Sequence, residues 1–299
     1  DRLVIPGDRL RNYPDWQKNS NQHLRFVEQA LRTSRPSCYG AHSQRAKPSK
    51  YFAATPWHFD APRYSHDRNQ LIFVKLCALA FFCTRYPMEF RPLGRTDLKV
   101  SSLCLGTMTW GEQNTQSDAF AQIDQAKAAG INFIDTAEMY PVPPRRETYA
   151  TTEHYIGNYF KTRGGRSDWI LATKIAGPGN GISHIRDGRL KFNRAHIRAA
   201  LDESLRRLQT DWIDLYQLHW PERSTNFFGQ LGYRHQEDDF TPTEETLEAL
   251  DDEVRAGRIR HIGLSNETPW GLTKYLQLAE ARGWPRAVSI QNPYNLLNR

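Results

Sequence analysis

Residues 131–140 read INFIDTAEMY. An apolar run of Ile131, Phe133 and Ile134 stops at Asp135-Thr136, and Glu138 and Tyr140 follow on what reads as a loop. A buried strand ending in an acid, with a phenol five residues on, sets a carboxylate and a proton donor at one mouth of a sheet or barrel. In parallel α/β folds chemistry gathers at that carboxyl end. The question the rest of the chain answers is which groups meet Asp135 and Tyr140 there.

Strands and helices alternate on either side. Residues 102–108 read as an apolar strand, and Ser117-Asp118 as the cap of a helix that runs to Ala129 and closes on Gly130. After the strand 131–135, Thr151-Thr152-Glu153 opens a helix through Phe160, and 169–174 (WILATK) is the third strand. Asn193 caps a helix carrying Ile197, Leu201, Leu205 and Leu208 at i, i+4, i+8 and i+11. Strand 212–219 follows, then a helix from Thr243 through Ala256 with Leu247, Leu250 and Val254 inward and Gly257 as its C-cap. Strand 259–265, helix 269–282 and strand 286–291 complete the series. Ahead of it, 88–101 reads as a β-hairpin turning at Gly94-Arg95-Thr96-Asp97 and suited to plugging one end.

Six strands joined by helices imply parallel pairing with right-handed crossovers. Six alone suit an open doubly wound sheet. A (β/α)8 barrel needs eight and about 250 residues; 88–299 is 212 residues, so a barrel reading leaves two strands and their helices unaccounted for.

The N-terminal segment differs in kind. Residues 1–87 hold 14 Lys and Arg against 6 Asp and Glu, a balance of +8, while 88–299 holds 26 against 27. The net charge of +7 therefore comes from the first segment, and the folded part gives no reason to expect nucleic-acid binding. The apolar run 71–83, LIFVKLCALAFFC, is 13 residues with Lys75 inside, too short for a bilayer, which needs about 20. No sustained period organises 1–87. We expect a disordered or non-native extension there, with Met88 as the natural start, and a barrel domain over 88–299. Four cysteines (Cys38, Cys77, Cys83 and Cys104) show no CxxC or zinc spacing; the expectation is a reducing, cytoplasmic setting, no metal and no membrane.

Four polar residues fall at or just past the ends of apolar strands: Asp135, Tyr140, Lys174 and His219. An ammonium at the end of a buried strand needs a partner, and Asp135 is one strand away. Such a set suits proton transfer to a carbonyl oxygen. A phenol has a pKa near 10, a nearby Lys cation lowers it, the Asp holds the Lys, and an imidazole orients the carbonyl. The set lacks a hydride source, which must be a cofactor. Taken singly, each residue has a plainer reading: loop cap, surface aromatic, structural ion pair, satisfied core histidine. Their joint placement on successive strand ends favours the chemical one.

The strings LCLGTMTWG, GINFIDTAEMY, ATK, LQTDWIDLYQLHWP, GRIRHIGLSNE and IQNPYNLLNR resemble the aldo-keto reductase family, most of all its bacterial Tas-type branch. The resemblance covers 88–299 and none of 1–87. It implies an α/β fold, a (β/α)8 TIM barrel truncated after its sixth strand behind an N-terminal β-hairpin. It implies NADPH as cofactor and small aldehydes or ketones as substrates, and assigns the catalytic tetrad to Asp135, Tyr140, Lys174 and His219. It places the nicotinamide carboxamide at Ser265, Asn266 and Gln291, with Thr107 and Met108 beside the ring, and the adenosine phosphate clamp in the last two strand–loop units, past Arg299. A six-strand piece should then be poorly stable and bind NADPH weakly. No GxGxxG follows a strand, so a Rossmann site has no support. The loop 221–242, with Phe227, Phe228, Tyr233 and Phe240, is the expected apolar wall for substrate. A channel-associated regulatory subunit or an inactive fragment are the alternatives.

Overall fold

The computed structural model describes residues 87–296, except 180–181, 229–231, 234, 236 and 238. The expected extension over 1–87 thus lies, but for Pro87, outside the described residues. Six parallel strands stand side by side in chain order: β3 (Leu105–Gly106), β4 (Phe133–Asp135), β5 (Ile170–Ile175), β6 (Ile213–Leu218), β7 (Ile259–Ser265) and β8 (Ala287–Gln291). The returning helices are α1 (Gln116–Ala128), α2 (Thr151–Arg163), α3 (Arg194–Leu208), α4 (Thr243–Arg255) and α5 (Pro269–Arg282). A doubly wound sheet reverses its strand order at a switch point. This order never reverses, which is how a barrel wall is wound.

One face of the wall is apolar and covered. Ile134, Leu171, Ile175, Tyr216, Leu218, Ile262 and Leu264 share a buried cluster with Ile123, Ile156, Ile197, Leu201 and Leu250 of the helices. Burying each such side chain stabilises by about 1.5–3 kcal/mol. The helix ends follow from local sequence. The Asn193 side chain accepts from the His196 N–H at the start of α3, and the Thr268 hydroxyl accepts from Gly271 with Pro269 in the first turn of α5. Each such cap contributes about 1 kcal/mol.

The hairpin of β1 (Phe90–Pro92) and β2 (Lys99–Ser101) closes the N-terminal end. Asn132, just before β4, accepts from the Ser101 N–H at 2.8 Å and donates to the Lys99 carbonyl at 2.9 Å. Its turn reaches β8, where a Cβ on Gly94 would strike the Val288 carbonyl; Gly94 also has φ +60, which glycine adopts without steric cost.

Several boundaries differ from expectation. The strand read over 102–108 shrinks to Leu105–Gly106, paired only through Leu105↔Ile134 and Gly106↔Asp135. Its flanks go elsewhere: the Ser102 N–H donates to Glu89 in the hairpin, and Thr107 continues the contact through its hydroxyl. The cap of α1 is Thr115, in a reciprocal box with Asp118, rather than Ser117-Asp118. Helix α2 runs on to Arg163. Ala256 caps α4, and Gly257, at φ +74, is the residue after it.

Candidate active site

The opposite face of the strands turns polar at its C-terminal end, and register explains why the polar groups meet. Gly106 pairs with Asp135, Asp135 with Ala172, Lys174 with Gln217, and Ser265 with Gln291. Side chains that end neighbouring parallel strands on one face share one mouth.

Lys174 is buried and donates to Asp135 Oδ2 at 2.6 Å and to the Thr136 carbonyl at 2.7 Å. Asp135 Oδ1 accepts from Gln217 Nε2 at 3.0 Å, and Oδ2 also from Gln291 Nε2 at 3.4 Å. The Thr107 hydroxyl donates to the Asp135 carbonyl at 2.9 Å. A buried ammonium is tolerable because its charge is matched and two of its three donors are used.

Tyr140 packs over this pair. Its ring centre lies 5.1 Å from Lys174 Nζ and meets the His219 ring edge-to-face at 5.6 Å. A small second core of loop residues holds it: Ala137, Met139, Ala176, Ile185, Leu190 and Trp220. Burial first, and then the Asp135 carboxylate, push the Tyr140 phenol above its ordinary value. This corrects the expectation that Lys174 lowers it. The ammonium is matched at 2.6 Å by Asp135, and the loss of water together with that carboxylate outweighs its pull on the phenol.

His219 is buried. Burial, and after it the Lys174 charge, hold its imidazole well below its ordinary value, so the ring is neutral near pH 7. Its Nδ1 has no partner among the described residues.

Ser265, Asn266 and Gln291 form one bonded group beside these four. The Ser265 hydroxyl and the Asn266 N–H donate to the Gln291 carbonyl at 3.2 and 3.0 Å. Asn266 Nδ2 donates to Ser265 Oγ at 3.1 Å and to the His219 carbonyl at 3.0 Å. Asn266 takes φ +52, a conformation that Asn tolerates better than most residues. A hydroxyl and two carboxamides clustered at the mouth, with Gln291 exposed, offer both donors and acceptors and so fit a nicotinamide carboxamide. Thr107 is buried and bound to backbone, whereas Met108 is half-exposed at 47%; its carbonyl accepts from the Val142 N–H at 2.9 Å and ties the first loop to the Tyr140 loop.

Of the substrate-wall aromatics, Phe227 and Phe228 pack against Trp220 at 6.3 and 5.6 Å between ring centres, and Trp220 in turn lies 4.8 Å from His219. Tyr233 and Phe240 instead border a separate open cleft with Arg223 and Trp270. Gln217 escaped the sequence reading, although a polar residue two before His219 on an apolar strand was the available signal. Glu138 and Trp220, also in plain view beside Tyr140 and His219, were missed as site-shaping residues.

The family model for the Aldo/keto reductase family matches residues 102–299. "Protein tas" of Escherichia coli (strain K12) is 52% identical over 216 residues, covering 71% of this chain and 62% of that protein. "Uncharacterized oxidoreductase YrpG" of Bacillus subtilis (strain 168) is 38% identical over 216 residues, 71% of this chain and 60% of that protein. "Versiconal hemiacetal acetate reductase" of Aspergillus parasiticus is 31% identical over 232 residues, 71% of this chain and 61% of that protein. The chain thus spans about three fifths of the length of these relatives.

Proposed function

Because the chain belongs to the aldo/keto reductase family, we propose that it reduces aldehydes or ketones to alcohols with NADPH, in the cytoplasm, with Tyr140 as general acid. The observation that carries this reading is the Tyr140 ring in contact with both the Lys174 ammonium at 5.1 Å and the neutral His219 at 5.6 Å. The bound nicotinamide would supply the hydride to the carbonyl carbon.

The chain's own residues do the rest. The phenol, kept protonated by burial, gives its proton to the carbonyl oxygen as negative charge develops there. A positioned acid of this kind contributes about 10²–10⁴-fold. Lys174 serves as the cation beside the phenolate left behind, and Asp135 keeps it in place at 2.6 Å. The imidazole of His219, held neutral by burial, would orient the carbonyl by hydrogen bonding rather than by charge. Ser265, Asn266 and Gln291 would hold the nicotinamide carboxamide. Trp220 with Phe227 and Phe228 would exclude water and favour apolar or aromatic carbonyls.

Steady-state oxidation of NADPH with 4-nitrobenzaldehyde tests the reading. Saturable turnover dependent on Tyr140 is expected. Binding of NADPH without turnover would replace it with a cofactor-sensing regulatory role.

A further inference from the structure

The Tyr140 loop has a fastening that the proposed chemistry does not itself use. Glu138 lies between Asp135 and Tyr140 and its side chain is almost wholly buried, at 1% exposure. Its backbone N–H donates to the Lys174 carbonyl at 3.1 Å. Its carboxylate accepts from the Ala176 N–H at 2.5 Å. One residue therefore grips β5 on both sides of the residue next to Lys174, through main chain and side chain at once.

The carboxylate is itself held by Arg186 in a two-pronged pair, Nη1 to Oε2 at 2.6 Å and Nη2 to Oε1 at 2.8 Å. Arg186 and Asp187 take φ +43 and +54, a conformation non-glycine residues avoid at a cost of about 1–2 kcal/mol. The guanidinium is mostly buried, at 14% exposure, and its planar fork matches a carboxylate. Ile185, the preceding residue, packs in the same small core as Met139 and Tyr140.

We propose that Glu138 and Arg186 form a clamp that sets the spacing between Tyr140 and Lys174, acting as positioning residues for proton transfer. The inference rests on the reductase reading only for its effect on rate; its effect on the loop stands apart. Two buried charges are costly to keep when an apolar pair would pack as well, and a displacement of about 1 Å at reacting groups costs on the order of a hundredfold in rate. Fixed geometry is the return on that cost.

The test is hydrogen–deuterium exchange of the peptide covering 136–142 in the full chain, with kcat and KM measured alongside. The variants are Glu138→Gln/Arg186→Met, which removes both charges together, and Glu138→Gln alone, which leaves the partly exposed arginine and folds if the double variant does not. Faster exchange over 136–142 with β4 and β5 unchanged is expected, with kcat down about a hundredfold and NADPH affinity unchanged. Arg186→Lys should restore part of the protection. Unchanged exchange over 136–142 in a folded variant overturns the clamp, whatever the activity. A wild-type chain without turnover would remove the reductase reading while exchange still decides the clamp.

Discussion

The wall has two ends, and each holds a buried carboxylate bound to cations. At the N-terminal end Asp214 accepts from Arg166 at 2.8 Å, Arg260 at 2.8 Å, the Leu171 N–H at 3.0 Å and Trp212 Nε1 at 3.3 Å. Arg166 donates further to the carbonyls of Trp169 and Trp212 and to Thr210, and the Trp212 ring lies within 4.6 and 5.1 Å of the two guanidinium carbons. Each oxygen of that carboxylate accepts two donors. At the C-terminal end Lys174, with three donors, meets two acceptors among the described residues, and His219 Nδ1 meets none. Similar chemistry, with the carboxylate fully bonded at one end and the cation and imidazole short of partners at the other, separates a structural ion pair from a site. A group left short of partners in a buried place is costly and is explained if something else completes it.

Substitutions can break that contrast. The largest expected effect is from Lys174→Met, which strands the Asp135 carboxylate. Stability should fall by about 3–5 kcal/mol, and turnover should be lost with it. Asp214→Asn is the matching change at the other end: a loss of about 3 kcal/mol in urea unfolding with kcat per folded molecule within about twofold of wild type. A collapse of kcat at unchanged stability in Asp214→Asn would abolish the distinction. Smaller still, Gln291→Ala, at an exposed position, should raise the NADPH Kd by about fivefold, the worth of one hydrogen bond, read by quenching of protein fluorescence with the melting temperature unmoved.

The smallest effect is on pH dependence. His219 is held below its ordinary value in the folded chain, so as pH falls below about 6.5 the unfolded chain takes up that proton first. The contribution of this residue is complete above that pH and declines below it. His154, His184, His196 and His261 are shifted the same way by burial, so the whole slope is shared. His219→Gln should lose less stability than wild type between pH 7.5 and 5.5 in urea titrations. An equal loss would show that the imidazole is not buried as described.

Legibility in the sequence followed the strength of the local signal. Strand β7 and helix α5 match the expected 259–265 and 269–282, because an apolar run and a Thr-Pro start leave little choice. The first wall strand was overread, since an edge with one neighbour pairs only where β4 reaches it. Thr115 was missed as a cap although Thr-x-x-Asp was visible, because Ser117-Asp118 offered a second capping pair. At the site, Asp135, Tyr140, Lys174 and His219 were readable as polar ends of apolar strands. Their electrostatics were not. The direction of the Tyr140 shift depends on how tightly Lys174 is already matched, and the Glu138–Arg186 pair joins residues 48 apart in the chain, which no local pattern exposes.

The most direct test of the unfinished mouth is the kcat of Tyr140→Phe with NADPH and 4-nitrobenzaldehyde. The substitution removes one oxygen and keeps the ring that packs against Lys174 and His219. A fall of about a thousandfold with the melting temperature and NADPH affinity preserved is the expected result. A rate equal to wild type would contradict proton transfer from that phenol and, with it, the account of what this end of the wall is for.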